Sequence, residues 1–222
     1  MFQRLINKRC AGWPVAYLTG CQPFYGADFL VDRSVLIPRP ETEGLVELAL
    51  KHIPAEAVLR IADLGTGSGC IAVTLARYRP SCQIFAIDHS GAALQLARLN
   101  ARRQAVSSHI IFKPGHLLQP LIRQPLELIV ANLPYLTPSE IKNEPTIRFE
   151  PNLALAAGRT GLRSFIDLFK QLSQRSDQPK VILEIDPRRQ RATNHLTKQV
   201  LPRRPIRWQA DLFGRMRYLI IG

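Results

Sequence analysis

Apolar residues along the chain follow two rhythms. Short unbroken apolar runs recur at VLRIADLG (58–65), QIFAID (83–88), HIIFK (109–113), LELIVANL (126–133) and KVILEID (180–186), followed by IRWQADLF (206–213) and RYLIIG (217–222). The middle runs show no polar alternation, as expected of strands covered on both faces. Between the runs the period lengthens to that of a helix. Glu41 to His52 repeats Leu45, Leu48 and Ala49, with Pro40 ahead and acids in the first turn. Gly69 to Tyr78 carries Ile71, Ala72 and Leu75, and Leu162 to Leu172 is a further amphipathic stretch. Ser90 suits the N-cap of a helix holding Leu94 and Ala97. Strands alternating with helices predict an α/β fold with an open, mostly parallel, doubly wound sheet. The last two runs, joined around Gly214, predict a terminal antiparallel hairpin. The Pro-rich segment 137–160 is long for a passive connection, so it is expected to be functional.

Composition narrows the classes. The 222 residues suggest one domain, perhaps with a small appendage, and 46% hydrophobic content supports a sizeable core. No apolar run reaches a membrane span, and the start lacks the apolar stretch and cleavage site of a signal peptide. Cytoplasmic localisation and no membrane association are therefore expected, and a monomer is assumed. Cys10, Cys21, Cys70 and Cys82 show no CxxC spacing; they read as buried free thiols in a reducing compartment, and no metal site is expected. Thirty Lys and Arg against seventeen Asp and Glu give a net charge of +13, and nine of the cations lie between Arg188 and Arg217. Such a field serves either contact with a ribosome or nucleic acid, or simple solubility.

The candidate chemistry begins at Asp63-Leu64-Gly65-Thr66-Gly67-Ser68-Gly69, a strand end opening into a helix. Glycines there allow sharp backbone turns and close approach of a ligand. Asp88 closes the next strand, where a carboxylate can accept hydrogen bonds from a ribose diol. The G-x-G-x-G spacing is tighter than that of a dinucleotide loop and suits S-adenosylmethionine, which carries no pyrophosphate. Further along, Asn132-Leu133-Pro134-Tyr135 ends the fourth central run. The Asn132 side-chain oxygen and the Leu133 carbonyl can both accept from a planar NH2 group, because Pro134 has no N–H and holds residue 133 extended. Tyr135 can lie flat against the same planar group.

PVAYLTG (14–20), FYGADFLVDRSVLIPRPETE (24–43), DLGTGSGCIAV (63–73), NLPY (132–135), FEPNLAL (149–155), LEID (183–186) and RMRYLIIG (215–222) resemble, in order, the protein-glutamine methyltransferases of the HemK/PrmC type. Members of that family methylate the side-chain amide of the Gly-Gly-Gln loop in peptide-chain release factors. The resemblance implies a seven-stranded, Rossmann-like, S-adenosylmethionine-dependent methyltransferase fold. It implies a lead-in with a short hairpin over residues 1–40, the family's helical docking domain largely absent, and a catalytic domain over 41–222. By the same resemblance Asp63, Gly65, Thr66, Gly67, Gly69, Asp88, His116 and Asn132 would hold the donor. Asn132, Leu133, Pro134 and Tyr135, with Glu41 and Thr42, would hold the substrate amide, and Asn132, Pro134 and Tyr135 would form the catalytic group.

Several departures from the family pattern stand out. Leu133 replaces a proline, and His116 replaces an acid expected to meet the adenine amine. Asp186 and Thr160 occupy places where glycine and an acid are usual, and only about ten residues precede the match. The expected activity is methylation of a release-factor glutamine by direct displacement, with no general base of raised pKa evident near NLPY. Alternatives are glutamine methylation of a ribosomal protein, adenine methylation in nucleic acid, or a catalytically weakened RNA- or protein-binding homologue. Glu184 reads equally as a strand-end polar group or a site residue.

Overall fold

The structure, a computed structural model, describes residues 2–222. It begins with α1 (Phe2–Cys10), α2 (Val15–Thr19) and an antiparallel hairpin of β1 (Cys21–Phe24) and β2 (Ala27–Leu30). Then follow α3 (Pro40–His52), β3 (Arg60–Leu64), α4 (Cys70–Tyr78), β4 (Gln83–Asp88), α5 (Gly91–Arg103), β5 (Ile110–Pro114) and β6 (Leu128–Asn132). The chain closes with α6 (Pro138–Asn143), α7 (Asn152–Leu155), α8 (Arg163–Ser173), β7 (Lys180–Glu184), α9 (Gln190–Val200), β8 (Ile206–Ala210) and β9 (Met216–Ile221).

Seven strands form one sheet in the order β5-β4-β3-β6-β7-β9-β8. β5, β4, β3, β6 and β7 are parallel, β9 returns antiparallel to β7, and β8 pairs antiparallel with β9. The seven apolar runs thus become the seven strands, and the terminal hairpin forms as expected. The direction of strand addition reverses between β3 and β6. Such a switch point opens a crevice beyond the carboxyl ends of the strands.

Both faces of the sheet are covered, which explains the missing polar alternation. Ile61, Ile84, Ala86, Leu128, Val130 and Ile182 pack beneath α3 and α4. Their neighbours Ala62, Leu64, Phe85, Ile87, Ile129, Ala131, Val181 and Leu183 pack on the other side with Phe165, Leu168 and Phe169 of α8. Side chains alternate along a strand, so Asp63, Asn132 and Glu184 fall on the α3 face with the first set.

Several elements escaped the periodicity. In α9 the buried positions are Thr193 and Thr197, so its inward stripe looks polar. α1 has no buried residue, and its apolar face is not tied to the core. The expectation of four buried thiols is corrected: Cys70 and Cys82 are buried, Cys21 is half-buried and Cys10 is exposed. Cys10 lies in α1, which buries nothing, so no packing covers its thiol.

The segment 137–160 folds back on the sheet. Leu136 N–H donates to the Leu155 carbonyl at 2.9 Å, and Ala157 N–H donates to Leu136 at 2.8 Å. Glu150 then staples the segment to the lead-in: its carboxylate accepts from Ile37 N–H at 3.1 Å and pairs with Arg39. Trp13 stacks on Phe149 at 4.8 Å between centroids. Asn100 of α5 holds β2 from the other side, accepting from Leu30 N–H at 2.7 Å and donating to the Leu30 and Ser68 carbonyls. Among the described residues, no helix is long and apolar enough to cross a membrane.

Candidate active site

The loop after β3 is built from backbone. Gly65, Gly67 and Gly69 all have positive φ, at 73°, 54° and 81°, a region that side-chain-bearing residues rarely adopt. A Cβ at Gly69 would press to 3.0 Å from Ala97 Cβ, so Gly69 lets α4 and α5 approach. A Cβ at Gly67 would meet little beyond the Gly65 carbonyl at 3.9 Å, so this turn is open for a ligand. Asp63 braces the loop from beneath. Its Oδ2 accepts from Thr66 Oγ1 at 2.6 Å and from Ala72 N–H at 3.1 Å, while its buried Oδ1 has no partner. Burial pushes the Asp63 carboxyl up to about 7, against the Thr66 and Ala72 bonds that favour its charge. Asp88 braces the loop from the next strand. Its two oxygens accept from Gly67 N–H at 2.9 Å and Ser90 N–H at 2.8 Å.

A cavity of about 570 Å³ opens over this rim, within the range of small-ligand sites. Gly65, Gly67, Asp88, His116, Asn132, Leu133 and Pro134 all line it. The lead-in adds Ser34 to Leu36, and the returning segment adds Pro151, Leu153, Ala154 and Ala156. The expectation that 137–160 is more than a passive loop therefore has a structural counterpart: it forms a wall. The half-buried Asp88 carboxylate and a glycine turn without side chains fit a ribose diol and a close-lying chain.

Beside this loop, at the end of the neighbouring strand β6, stands Asn132. Its Nδ2 donates to Thr42 Oγ1 at 2.9 Å, and Thr42 donates on to Glu184 Oε2 at 2.8 Å. Thr42 and Glu184 are buried, and β6 and β7 place Asn132 and Glu184 in the same register row. Burial raises the Glu184 carboxyl to about 7, opposed by the Thr42 hydrogen bond and the nearby Arg217 charge. Sequence reasoning saw no such group near NLPY; the structure places one two hydrogen bonds behind Asn132. Tyr135 is pushed up to about 12, chiefly by burial and secondarily by Glu184, so its phenol stays protonated.

The remaining predicted residues divide. Asp63, Thr66 and Gly69 support the loop from behind, and Tyr135, Glu41 and Thr42 stand outside the cavity lining. Glu41 contributes its carbonyl, which accepts from Tyr218 Oη at 2.7 Å. Leu133 is buried, and its Cδ2 would lie 3.5 Å from a Cβ at Gly65, so the leucine in place of proline is absorbed by packing. His116 faces Asp167 Oδ2 of α8 at 3.4 Å, and Arg163 Nε holds the same oxygen at 2.9 Å. Asp167 was missed because Arg163 and Asp167, four apart, look like a surface helix pair. Asp186 caps the turn after β7 and chelates Arg188 at 3.0 and 2.6 Å, and Arg188 and Arg189 in turn reach Glu140 of α6. Thr160 is exposed.

Known proteins resemble this chain in sequence and in fold. A sequence model of the Methyltransferase small domain matches residues 45–149. The release factor glutamine methyltransferase of Enterococcus faecalis is 37% identical over 215 residues, covering 94% of this chain and 75% of that protein. Its counterpart in Xylella fastidiosa is 43% identical over 162 residues, 72% of this chain, and that of Escherichia coli is 39% identical over 173 residues, 75% of this chain. The chain spans 58% and 60% of the length of those last two relatives. Among solved structures, a methyltransferase from Pyrococcus furiosus superposes with a TM-score of 0.63 at 15% identity, covering 99% of this chain and 95% of that one. The catalytic domain of human Mettl16 superposes with a TM-score of 0.64 at 15% identity, covering 100% and 91%. The sheet order with its antiparallel end is thus the class I methyltransferase fold, and the chain belongs to the release factor glutamine methyltransferase family.

Proposed function

We propose that this chain transfers a methyl group from S-adenosylmethionine to a glutamine side-chain amide, and that its substrate is the Gly-Gly-Gln loop of a peptide-chain release factor. The relatives' activity on release factor glutamine supports the substrate, and the cavity supports the chemistry. The donor supplies a methyl carbon activated by a sulfonium. Asp88 would accept from the ribose hydroxyls and the Gly65–Gly67 turn would let the donor lie against main chain, with Asp63 bracing that turn from behind. His116, backed by Asp167, stands where the base would be met. Residues 41–222 act as the catalytic unit, and residues 1–40 as a lead-in that walls the cavity.

The observation that carries the reading is Asn132. One N–H of its Nδ2 donates to Thr42, which turns the nitrogen towards α3 and leaves Oδ1 as the end to accept from a substrate NH2. The Leu133 carbonyl offers a second acceptor. An amide nitrogen is a weak nucleophile because its lone pair is delocalised, and two acceptors on its protons favour the charge that develops there during attack. The N–C bond forms as the C–S bond breaks, the sulfur keeps the bonding pair, and the surplus amide proton leaves to solvent. Positioning then supplies most of the rate. The test is methyl transfer from labelled donor to a release factor, a ribosomal protein and an oligonucleotide assayed side by side. Label on the release-factor glutamine is expected, and label on the oligonucleotide alone would overturn the reading. A cytoplasmic site of action follows from this substrate.

A further inference from the structure

A carboxamide has two ends of nearly the same shape and opposite polarity. An oxygen facing the cavity selects an NH2, whereas an NH2 facing the cavity selects a carbonyl. Nothing within Asn132 decides between them, because its terminal torsion is broad and roughly two-fold. The neighbour that decides is Thr42. Its hydroxyl has a single proton, which it places on Glu184 Oε2 at 2.8 Å when that carboxyl is ionised, above about pH 7. With that proton committed, the hydroxyl oxygen offers only lone pairs to Asn132, whose Nδ2 lies 2.9 Å away. Thr42 is 3% exposed and Glu184 2%, so water offers neither of them another partner.

The surroundings hold this row of groups in place. An ideal Cβ at Gly44 would fall 2.1 Å from Tyr218 Oη, so α3 is pressed onto β9 at the one position without a side chain. Tyr218 Oη closes the contact by donating to the Glu41 carbonyl, one residue before Thr42. Glu184 sits in the strand beside β6, opposite Asn132 in the ladder. Three elements distant in sequence therefore converge on one hydroxyl.

We propose that Thr42 and Glu184 are positioning residues that set the polarity of the recognition group, so that Asn132 presents its oxygen and the site takes a planar NH2 donor in place of a carbonyl. This deepens the methyl-transfer reading and rests on it for its consequence in catalysis, although the orientation of Asn132 can be measured without any turnover. Neither residue touches the substrate; both act through Asn132.

The test uses the full chain with the variants Thr42→Val, Thr42→Ser, Glu184→Gln and the Thr42→Val/Glu184→Gln pair. Side-chain NH2 signals of asparagine are followed by 15N NMR, with that of Asn132 identified by its loss in Asn132→Ala. Its proton exchange is expected to be slow in the wild type and in Thr42→Ser, and at least about tenfold faster in Thr42→Val. In parallel, kcat for glutamine methylation is expected to fall about ten- to hundred-fold in Thr42→Val and to return within about threefold in Thr42→Ser, with the Kd for S-adenosylhomocysteine changed less than about threefold. Glu184→Gln can donate to Thr42 and release its proton towards Asn132, so kcat is expected to fall there too, and the double variant to fall no further than Thr42→Val within about twofold. Unchanged exchange in Thr42→Val, additive losses in the double variant, or equal losses of donor affinity and kcat would each overturn the proposal. Should the wild type methylate none of the substrates, the functional reading fails while the exchange rates still judge the relay. Thermal melts accompany every variant, and the milder Thr42→Ser and Glu184→Gln proteins carry the test if Thr42→Val does not fold.

Discussion

The two neighbouring strand ends that meet at the cavity, those of β3 and β6, are built in opposite ways. The β3 end is held by short-range bonds: Asp63 reaches Thr66 three residues on and Ala72 nine residues on, and Asp88 reaches Gly67 across twenty-one. The β6 end is held by long-range bonds: Asn132 to Thr42 spans ninety residues, and Thr42 to Glu184 spans 142. The wall above follows the second style, with Glu150 reaching Ile37 across 113 residues. A glycine loop and the acid after the next strand can be carried by a single βαβ unit, because the strand geometry itself brings them together. A recognition group of fixed polarity cannot be local, since the partners that orient it must approach from behind the strand end. The donor end is consequently a local device and the acceptor end a tertiary one.

Substitutions should separate the two ends. The largest effect is expected for Asn132→Ala, with kcat for glutamine methylation down about a thousandfold and donor Kd within about threefold, because the acceptor is lost while the glycine loop is untouched. Stopped-time methyl transfer and calorimetry with S-adenosylhomocysteine read the two quantities, and equal turnover in the variant would remove Asn132 from the reaction. Asp88→Ala should show the reverse split. Donor Kd is expected to rise about a hundredfold, with kcat at saturating donor within about tenfold, since both the diol acceptor and the brace on Gly67 N–H disappear. Loss of kcat without loss of donor affinity would place Asp88 at the wrong end.

The wall comes next. Glu150→Ala leaves Ile37 N–H buried without its acceptor and frees Arg39. A loss of about 1–3 kcal/mol is expected, or roughly 3–10 °C in Tm. A scanning-calorimetry Tm within a degree of the wild type would show that the lead-in is held by other contacts, of which Trp13 on Phe149 is one.

The smallest effect is on pH dependence. Asp63 and Glu184 keep their protons to about 7 in the folded chain, whereas both release them near 4 when unfolded. Between about pH 4.5 and 7 the folded chain thus holds more protons than the unfolded one, and stability falls as pH rises through that window. Thr42, Arg217, Glu41 and Arg39 are the groups around Glu184 that modulate its share. Asp177, Glu127 and Asp211 are held below the ordinary carboxylate range by their arginine partners. Their contribution is lost only on further acidification, with the opposite sign, and is complete above about pH 5. Thermal melts from pH 5 to 8 should therefore decline less steeply in Glu184→Gln than in the wild type. An identical slope would assign the dependence to Asp63 or other groups.

Much of this arrangement was legible in the chain as written. Seven apolar runs became seven strands because strands buried on both faces need no polar residues, and Gly214 marked the final hairpin. The G-x-G-x-G turn, Asp88 and the Asn-Leu-Pro-Tyr strand end could be placed on one rim because a parallel βαβ sheet puts every strand's carboxyl end on the same side. Helix α9 was not legible, because Thr193 and Thr197 bury a polar-looking stripe, and Asp167 passed for half of a surface ion pair. Nor was the office of Glu184: whether a strand-end acid is surface or site depends on which helix lies over it. Folding alone decided that Thr42 would stand between Glu184 and Asn132, because hydrogen bonds over distances of a few ångströms are blind to separation along the chain. Periodicity and local geometry are written residue by residue; convergence of three distant segments on one hydroxyl exists only once the sheet has closed and α3 has docked on it.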